Sequence, residues 1–243
     1  MTNTGARPLT APISIVIPTL NAQAHLPACL AALTEGLPEG LIRELIVTDG
    51  GSTDETRKIA DAVGAEWVSG DASRGGQLRR GVAAARGHWV MVLHADTVLE
   101  AGWSKTVAEH IRGGDGGPAY FRLAFRSRGL MPAWVAGWAN LRARVFGLPF
   151  GDQGILMTVS DYRRAGGYPD QPLMEDVALA FALSKAGKRP RALPVRAMTS
   201  AAAYKRDGWL RRGAGNLWRL VRYCLGADPT RLARGYSGDT APQ

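Results

Sequence analysis

The chemistry available to this chain rests on acids placed where structural elements begin or end. Asp96 follows the apolar run Val90-Met91-Val92-Leu93, with His94 two residues before it. Residues two apart on an extended chain point the same way, so an imidazole and a carboxylate could face one ligand. A hard divalent cation takes such an oxygen and suggests a phosphate-bearing substrate. The plainer alternative is that Asp96 caps the next turn and His94 is a loop residue. Asp49 ends a second apolar run and precedes Gly50-Gly51-Ser52. Glycines there let the backbone approach a flat ligand, and the carboxylate can accept from a ring N–H or a ribose hydroxyl. The same residues would also serve as a turn and helix cap. Glu175 and Asp176 open a helix, where acids complement the helix dipole by about 0.3–1 kcal/mol each. The apolar Pro172-Leu173-Met174 before them could instead set them at the floor of a pocket. A carboxylate there could act as general base, a role worth about 10²–10⁴ in rate. Arg74-Gly75-Gly76-Gln77 offers a guanidinium and a helix N-terminus to a phosphate, or is loop punctuation.

The elements around these residues alternate. Ile13–Ile17 reads as a β-branched strand stopped by Pro18, and Asn21 as the cap of a helix running to about Thr34. Glu44–Thr48 is a second strand, followed by a helix with Ser52 and Glu55 at capping-box spacing. Glu66–Ser69 is a third strand, and the run before His94 a fourth, buried on both faces. This β-α-β-α-β-α-β order implies an α/β fold with a mostly parallel sheet covered on both faces. Pro18–Asn21, Asp49–Ser52 and His94–Asp96 all follow strands, so they collect at the carboxyl edge where open α/β sheets bind ligands. Beyond Asp96 the order is less regular. It holds a helix near Gly102–Ile111, an alternating strand Ala119–Phe125, and an amphipathic helix Pro132–Phe146. In that helix Trp134, Val135, Trp138, Leu141 and Val145 share a face opposite Arg142 and Arg144. A loop Gly151–Gly154, a strand Ile155–Thr158, a short helix capped by Ser160, a helix Glu175–Ala186, an extended Arg191–Met198 and a basic helix capped by Asp207 complete the chain. The implied division is a disordered leader (1–12), a regularly alternating half (13–100), a less regular half (101–200) and a basic helical tail (201–243), frayed from Ser237.

With 243 residues, the chain suits one large domain. The two cysteines, Cys29 and Cys224, suggest neither a disulfide framework nor a metal cluster and fit a reducing cytoplasm. No signal-peptide core or membrane-length apolar run is present. The net charge of +9 favours an anionic partner: a nucleotide, a membrane surface or nucleic acid. The basic end combines Lys205, Arg206, Arg211, Arg212, Arg219, Arg222, Arg231 and Arg234 with Trp209, Trp218 and Tyr223. It could close over a diphosphate, lie on an anionic membrane, or be a solvated basic face. The turn after the first strand holds no G-x-G-x-x-G, which argues against a dinucleotide-dependent dehydrogenase. Pro18-Thr19-Leu20-Asn21 in that place also ranks a sugar-phosphate nucleotidyltransferase low.

Together these stretches resemble a family 2 glycosyltransferase of the GT-A fold, over roughly residues 13–225. Ser14–Asn21 resembles the family's opening strand, and Val47–Thr56 its second motif, whose first acid, here Asp49, contacts the nucleotide base. Arg74-Gly75 resembles its third element. Leu93-His94-Ala95-Asp96 stands at the D-x-D metal motif, and Glu175-Asp176 at the E-D motif, whose second acid is the catalytic base. His-Ala-Asp-Thr, Pro149–Gly154 and Pro172–Asp176 resemble a bacterial subgroup labelled arsenosugar-biosynthesis glycosyltransferases. The resemblance implies a Rossmann-like single domain and an inverting transfer from a nucleotide-diphosphate sugar to an acceptor hydroxyl. Asp96, helped by His94, would hold a divalent cation (Mn2+ or Mg2+). Pro18, Thr19, Asn21, Asp49, Gly51, Ser52, Arg74, Gly75 and Gln77 would hold the donor nucleotide. Asp176 would be the base, with Glu175, Asp152 and Gln153 positioning sugar or acceptor. A cytoplasmic location is expected, with peripheral contact at an anionic inner membrane face and no nucleic-acid partner. The sequence departs from the pattern at Ala180-Phe181-Ala182 and Ala201-Ala202-Ala203, where relatives carry arginines; Lys205, Arg206 or Arg211 would have to replace them. The non-enzymatic alternative is a decayed module that binds membrane or nucleic acid.

Overall fold

The computed structural model describes residues 11–113 and 116–237. Most of the expected leader and the tail after Ser237 lie outside the described residues. The leader ends earlier than expected: the Ala11 N–H donates to the Gly40 carbonyl, and the Pro12 carbonyl accepts from Trp89. The strands are β1 (Ile13–Thr19), β2 (Ile42–Asp49), β3 (Glu66–Ser69), β4 (Trp89–Val92), β5 (Val98–Leu99), β6 (Ala119–Phe125), β7 (Ile155–Thr158) and β8 (Arg191–Thr199). The helices are α1 (Leu26–Leu33), α2 (Thr56–Ala62), α3 (Arg74–Ala84), α4 (Trp103–Arg112), α5 (Leu130–Phe146), α6 (Val159–Arg164), α7 (Glu175–Lys185), α8 (Ala202–Asp207), α9 (Trp209–Cys224) and α10 (Pro229–Ser237).

One sheet runs through the molecule in the order β3-β2-β1-β4-β7-β6-β8-β5. The first four strands of that order pair in parallel; β7 then runs antiparallel to β4 and β6, and β8 is parallel to β6. The fold is the α/β, mostly parallel arrangement with helices on both faces that the alternation implies. Strand alternation divides the core. Ile13, Ile15, Ile17, Met91 and Leu93 pack with α1 and α4 on one face. Val16, Ile46, Val90 and Val92 pack with α3 and α7 on the other. The register places Thr19 beside Asp49 and Val16 beside Val92, so the loops after β1, β2 and β4 share one edge.

Several local expectations give way to tertiary contacts. Asn21 does not cap α1. Its Oδ1 accepts from the Thr53 N–H, while its own N–H donates to the Ser52 hydroxyl. Ser52 and Glu55 form no capping box, because Ser52 is spent on Asn21 and Asp49 and α2 begins only at Thr56. Parallel neighbouring strands bring these two loops together, so their polar groups pair with each other. Thr158, not Ser160, caps α6. Asp207 does not cap α9; it forms ion pairs with Arg206 and Arg212.

The largest reversal is α5. Trp134, Trp138, Leu141 and Val145 are exposed, whereas Ala136, Ala139, Arg142 and Ala143 are buried. Only Val135 of the expected apolar face turns inward. The inner face has polar work to do. Asn140 accepts from the Leu123 N–H and donates to the Leu123 carbonyl, at 2.8 and 3.0 Å. Arg142 donates to the Leu148 carbonyl and to Gln153, and its guanidinium lies 3.4 Å from the Phe150 ring centroid. Alanines between them let the helix approach β6 closely.

Candidate active site

The strand ends build the floor of the site. After β4 the chain is not extended: the Thr97 N–H donates to the His94 carbonyl, closing a turn over His94–Thr97. The two-residue alternation therefore does not orient His94 and Asp96, yet both line the same space. One cleft of about 330 Å³ is walled by Arg74, His94, Asp96, Asp152, Asp176 and residues of β8, α8 and α9. A second, of about 340 Å³, is walled by the Pro18–Ala22 turn, Arg74, Gln77, His94, Asp96 and Glu175. The two share Arg74, His94 and Asp96, which form the boundary between them.

His94 packs on the backbone of Gly151. A Cβ at Gly151 would stand 2.4 Å from His94 Nε2, so glycine is needed for the approach. Burial, with help from the nearby Arg74 charge, pushes the imidazole below its usual range against the opposing pull of Asp96 and Asp176. Asp96 accepts from the Thr199 hydroxyl at 3.0 Å. Thr199 ends β8, a partner that no local sequence pattern pairs with Asp96.

The E-D pair at the start of α7 divides between the two clefts. Met174 precedes it in the left-handed region (φ 64°), which turns the chain sharply into the helix. Asp176 faces the first cleft, accepting from the Gly151 and Val177 N–H groups at 2.6 and 2.7 Å. Glu175 faces the second cleft and is buried, with Oε1 4.0 Å from Arg74 Nε and Oε2 unpartnered. Burial, then repulsion from Asp176, raises its carboxyl to about 7 against the opposing pull of Arg74. Asp152 on the Gly151–Gln153 turn has its Oδ1 shut away without a partner, and burial raises it to about 6 although Arg142 opposes.

Several other expected site residues serve mainly to support the clefts. Asp49 accepts from Thr19, from the Gly51 N–H and from both the N–H and hydroxyl of Ser52. Burial alone would raise its carboxyl, but these donors hold it below the usual range. Gly51 and Ser52 belong to that turn and stand on neither wall. Gln77 lines the second cleft, but its amide donates to the Thr19 and Thr48 carbonyls and so ties β1 to β2. The Gly75 N–H donates to the Gln171 carbonyl, and a Cβ there would meet the Pro169 carbonyl at 2.0 Å. The N-terminus of α3 is therefore used for packing, and Arg74 is its contribution to the cleft. Gln153, expected to position sugar or acceptor, is fully buried; it bridges Phe121, Asn140, the Phe150 N–H and Arg142.

The expected substitutes for the absent arginines are corrected too. Lys205, Arg206 and Arg211 are not on the cleft wall; Arg212 and Arg219 of α9 are, with Tyr204 and Asn216. Their spacing of three and four residues marks one helical face, but only the packing of α9 shows which face meets the site. Among the described residues no group of three or more His, Cys, Asp and Glu is arranged to hold a metal ion. The donor set at Asp96 nevertheless fits Mg2+ or Mn2+, since such ions take one or two carboxylates and complete their shell with water and substrate phosphate.

The comparisons with known proteins follow this geometry. Over 93 residues the chain is 40% identical to the PGL/p-HBAD biosynthesis glycosyltransferase of Mycobacterium bovis, a match spanning 35% of this chain and 36% of that protein. Over 95 residues it is 36% identical to glucosyl-3-phosphoglycerate synthase of Mycobacterium tuberculosis, spanning 35% of this chain and 29% of that one. The matches therefore cover only about a third of these relatives. A structure of the M. tuberculosis synthase in complex with Mg2+ and uridine-diphosphate shares the fold, with TM-score 0.55, 23% identity, and coverage of 77% of this chain and 69% of that one. S. aureus TarS 1-349 shares it with TM-score 0.62 and 16% identity, over 89% of this chain and 66% of that one. The family description "Glycosyl transferase family 2" matches residues 14–146, more than half of the chain, and the chain belongs to that family.

Proposed function

We propose that the protein is an inverting, metal-dependent glycosyltransferase moving a sugar from a nucleotide-diphosphate donor to an acceptor hydroxyl. The observation that carries this is the meeting of Asp96, Arg74 and Asp176, from three separate elements, around one divided cleft. Relatives solved with uridine-diphosphate and Mg2+ or Mn2+ support the donor class.

In this reading residues 13–100 carry the donor side and 101–200 the acceptor side, with 201–243 contributing cations to the cleft. The Pro18–Asn21 turn holds the nucleoside, and the turn built on Asp49 lies beside it. Arg74, Arg212 and Arg219 face the diphosphate. Asp96, with His94 beside it, would hold the cation, which supplies charge neutralisation to the leaving diphosphate. Asp176, fixed by two backbone N–H groups, accepts the proton of the acceptor hydroxyl as that oxygen bonds to the anomeric carbon. The bond from that carbon to the diphosphate breaks on the opposite face, which inverts the centre and releases the nucleoside diphosphate. Glu175 and Asp152, both raised in acidity range, can carry protons and donate to sugar hydroxyls near neutral pH. The subgroup likeness to arsenosugar-biosynthesis enzymes stays within this proposal as a pointer to substrate. So do a cytoplasmic location and contact of the basic helices with an anionic membrane face; no helix among the described residues is long and apolar enough to cross a membrane.

The test is a panel of nucleotide sugars with Mn2+, read by thermal shift and by release of nucleoside diphosphate, on the wild type and Asp176→Asn. Transfer should fall by about 10²–10⁴ in the variant while donor affinity changes little. Equal loss of both would overturn the base assignment, and no response to any donor would overturn the function.

A further inference from the structure

We infer that the outward face of α5, with the adjoining face of α9, docks on an anionic phospholipid bilayer. This deepens the membrane contact included above by assigning its surface, and it moves the apolar part of that surface to α5.

The outward residues of α5 are Leu130, Trp134, Trp138, Leu141 and Val145. Their spacing keeps them on one helical face, with Phe146 exposed at its end. α9 repeats the pattern with Leu210, Leu217, Trp218 and Val221 exposed, and Leu225 just past its end. The two helices adjoin: Trp209, which opens α9, packs in the same apolar cluster as Val135, Ala136 and Ala139 of α5. Exposed apolar surface of this extent marks an interaction site. Trp and Leu beside Arg are the residues of helices that lie in a bilayer interface.

Charge selects the occupant. Neither α5 nor α9 contains an Asp or Glu, and between them they expose Arg144, Arg211 and Arg222. At the end of α5 an open cavity of about 580 Å³ is walled by Tyr120, Arg144, Lys188, Arg189 and Arg191, with no acid on its wall. Arg189 donates to the Arg144 and Val145 carbonyls, offsetting the negative helix end that would otherwise repel an anion. A basic cavity thus opens at the end of α5 that exposes Val145 and Phe146. A second copy of a chain carrying +9 would bring like charges together across this face. An anionic bilayer meets the apolar stripe and the cations at once.

The two sides of α9 differ. Arg212, Asn216 and Arg219 line the cleft, and at about 100° per residue they stand nearly opposite Leu210, Leu217, Trp218 and Val221, so docking by the stripe leaves the cleft on the side of α9 turned away from the lipid.

The experiment is co-sedimentation of the full chain with phosphatidylcholine vesicles, with and without phosphatidylglycerol, in the absence of donor. The wild type should bind the anionic vesicles at least tenfold more tightly. Trp134→Ser with Trp138→Ser should lose tenfold or more, with far-UV circular dichroism unchanged because both side chains are exposed. Lys188→Gln with Arg191→Gln should lose about fivefold per removed cation, the usual effect of a charge near an anionic surface, and should flatten the salt dependence. Equal binding to both vesicle types, or variants that bind like the wild type, would overturn the inference. So would a dimer abolished by the tryptophan substitutions in a protein that ignores vesicles. Vesicle binding without turnover of any nucleotide sugar would sink the transferase reading and leave this surface standing.

Discussion

Replacing Glu175 by Gln isolates the energetic cost of a carboxylate that the fold has buried. The side chain is 3% exposed, its Oε2 has no partner, and Arg74 stands 4.0 Å from its Oε1. Burial and the neighbouring Asp176 raise the carboxyl from an ordinary 4.5 to about 7. A tenfold change in acid dissociation is about 1.4 kcal/mol, so ionising Glu175 in the folded protein costs about 3 kcal/mol of stability. The sign follows from the raised value. Below about pH 4.5 the group is neutral in both folded and unfolded states and the cost is absent. It grows as pH rises and is complete above about pH 7. Glu175→Gln should therefore match the wild type near pH 5 and exceed it at pH 8. At roughly 2–4 °C per kcal/mol for a chain of this size, the gain in Tm at pH 8 is roughly 6–12 °C. Urea and thermal melts at the two pH values measure it. An equal change in stability at both would refute the argument, because an uncharged defect carries no pH dependence.

Other outcomes are as specific. Arg142→Met leaves the Leu148 carbonyl without its donor and removes the cation over Phe150; it should cost about 2–4 kcal/mol, and a loss below about 1 kcal/mol in urea melts would show that the guanidinium is dispensable. Gly75→Ala forces a Cβ against the Pro169 carbonyl; it should destabilise by about 1–3 kcal/mol and weaken donor affinity by displacing Arg74, as calorimetry with a nucleoside diphosphate would detect. Asp96→Ala should abolish the enhancement of nucleoside-diphosphate binding by Mn2+, and His94→Asp should raise metal affinity; titrations with and without chelator that look alike in the wild type would remove the cation from the site.

Local pattern was enough for most of the frame. The run Val90–Leu93 has no polar face, so only a strand covered on both sides satisfies it, and the alternation of such strands with amphipathic helices leaves little choice but a largely parallel sheet. The shared edge of the loops after β1, β2 and β4 follows from that topology, as does the convergence of Pro18–Asn21 and His94–Asp96. Caps were less legible. Ser52 and Asn21 have the right types for helix N-termini, but parallel pairing of β1 with β2 offered them each other.

By itself, the sequence determined which acids stand at element ends, because strand and helix periodicity is set by a residue's own neighbours. Only the tertiary structure decided what each acid does. It directed Asp176 to the cleft walled by β8, α8 and α9 and Glu175 to the one by the Pro18–Ala22 turn, gave Asp49 to its own turn, and brought Arg212 and Arg219 to the first of these. It also turned α5 over. Periodicity identifies a helical face with more large apolar groups, but burial follows what the facing strand requires. β6 and the Phe150 turn required an amide, a guanidinium and close approach, so Asn140, Arg142 and three alanines went inward and the tryptophans went out.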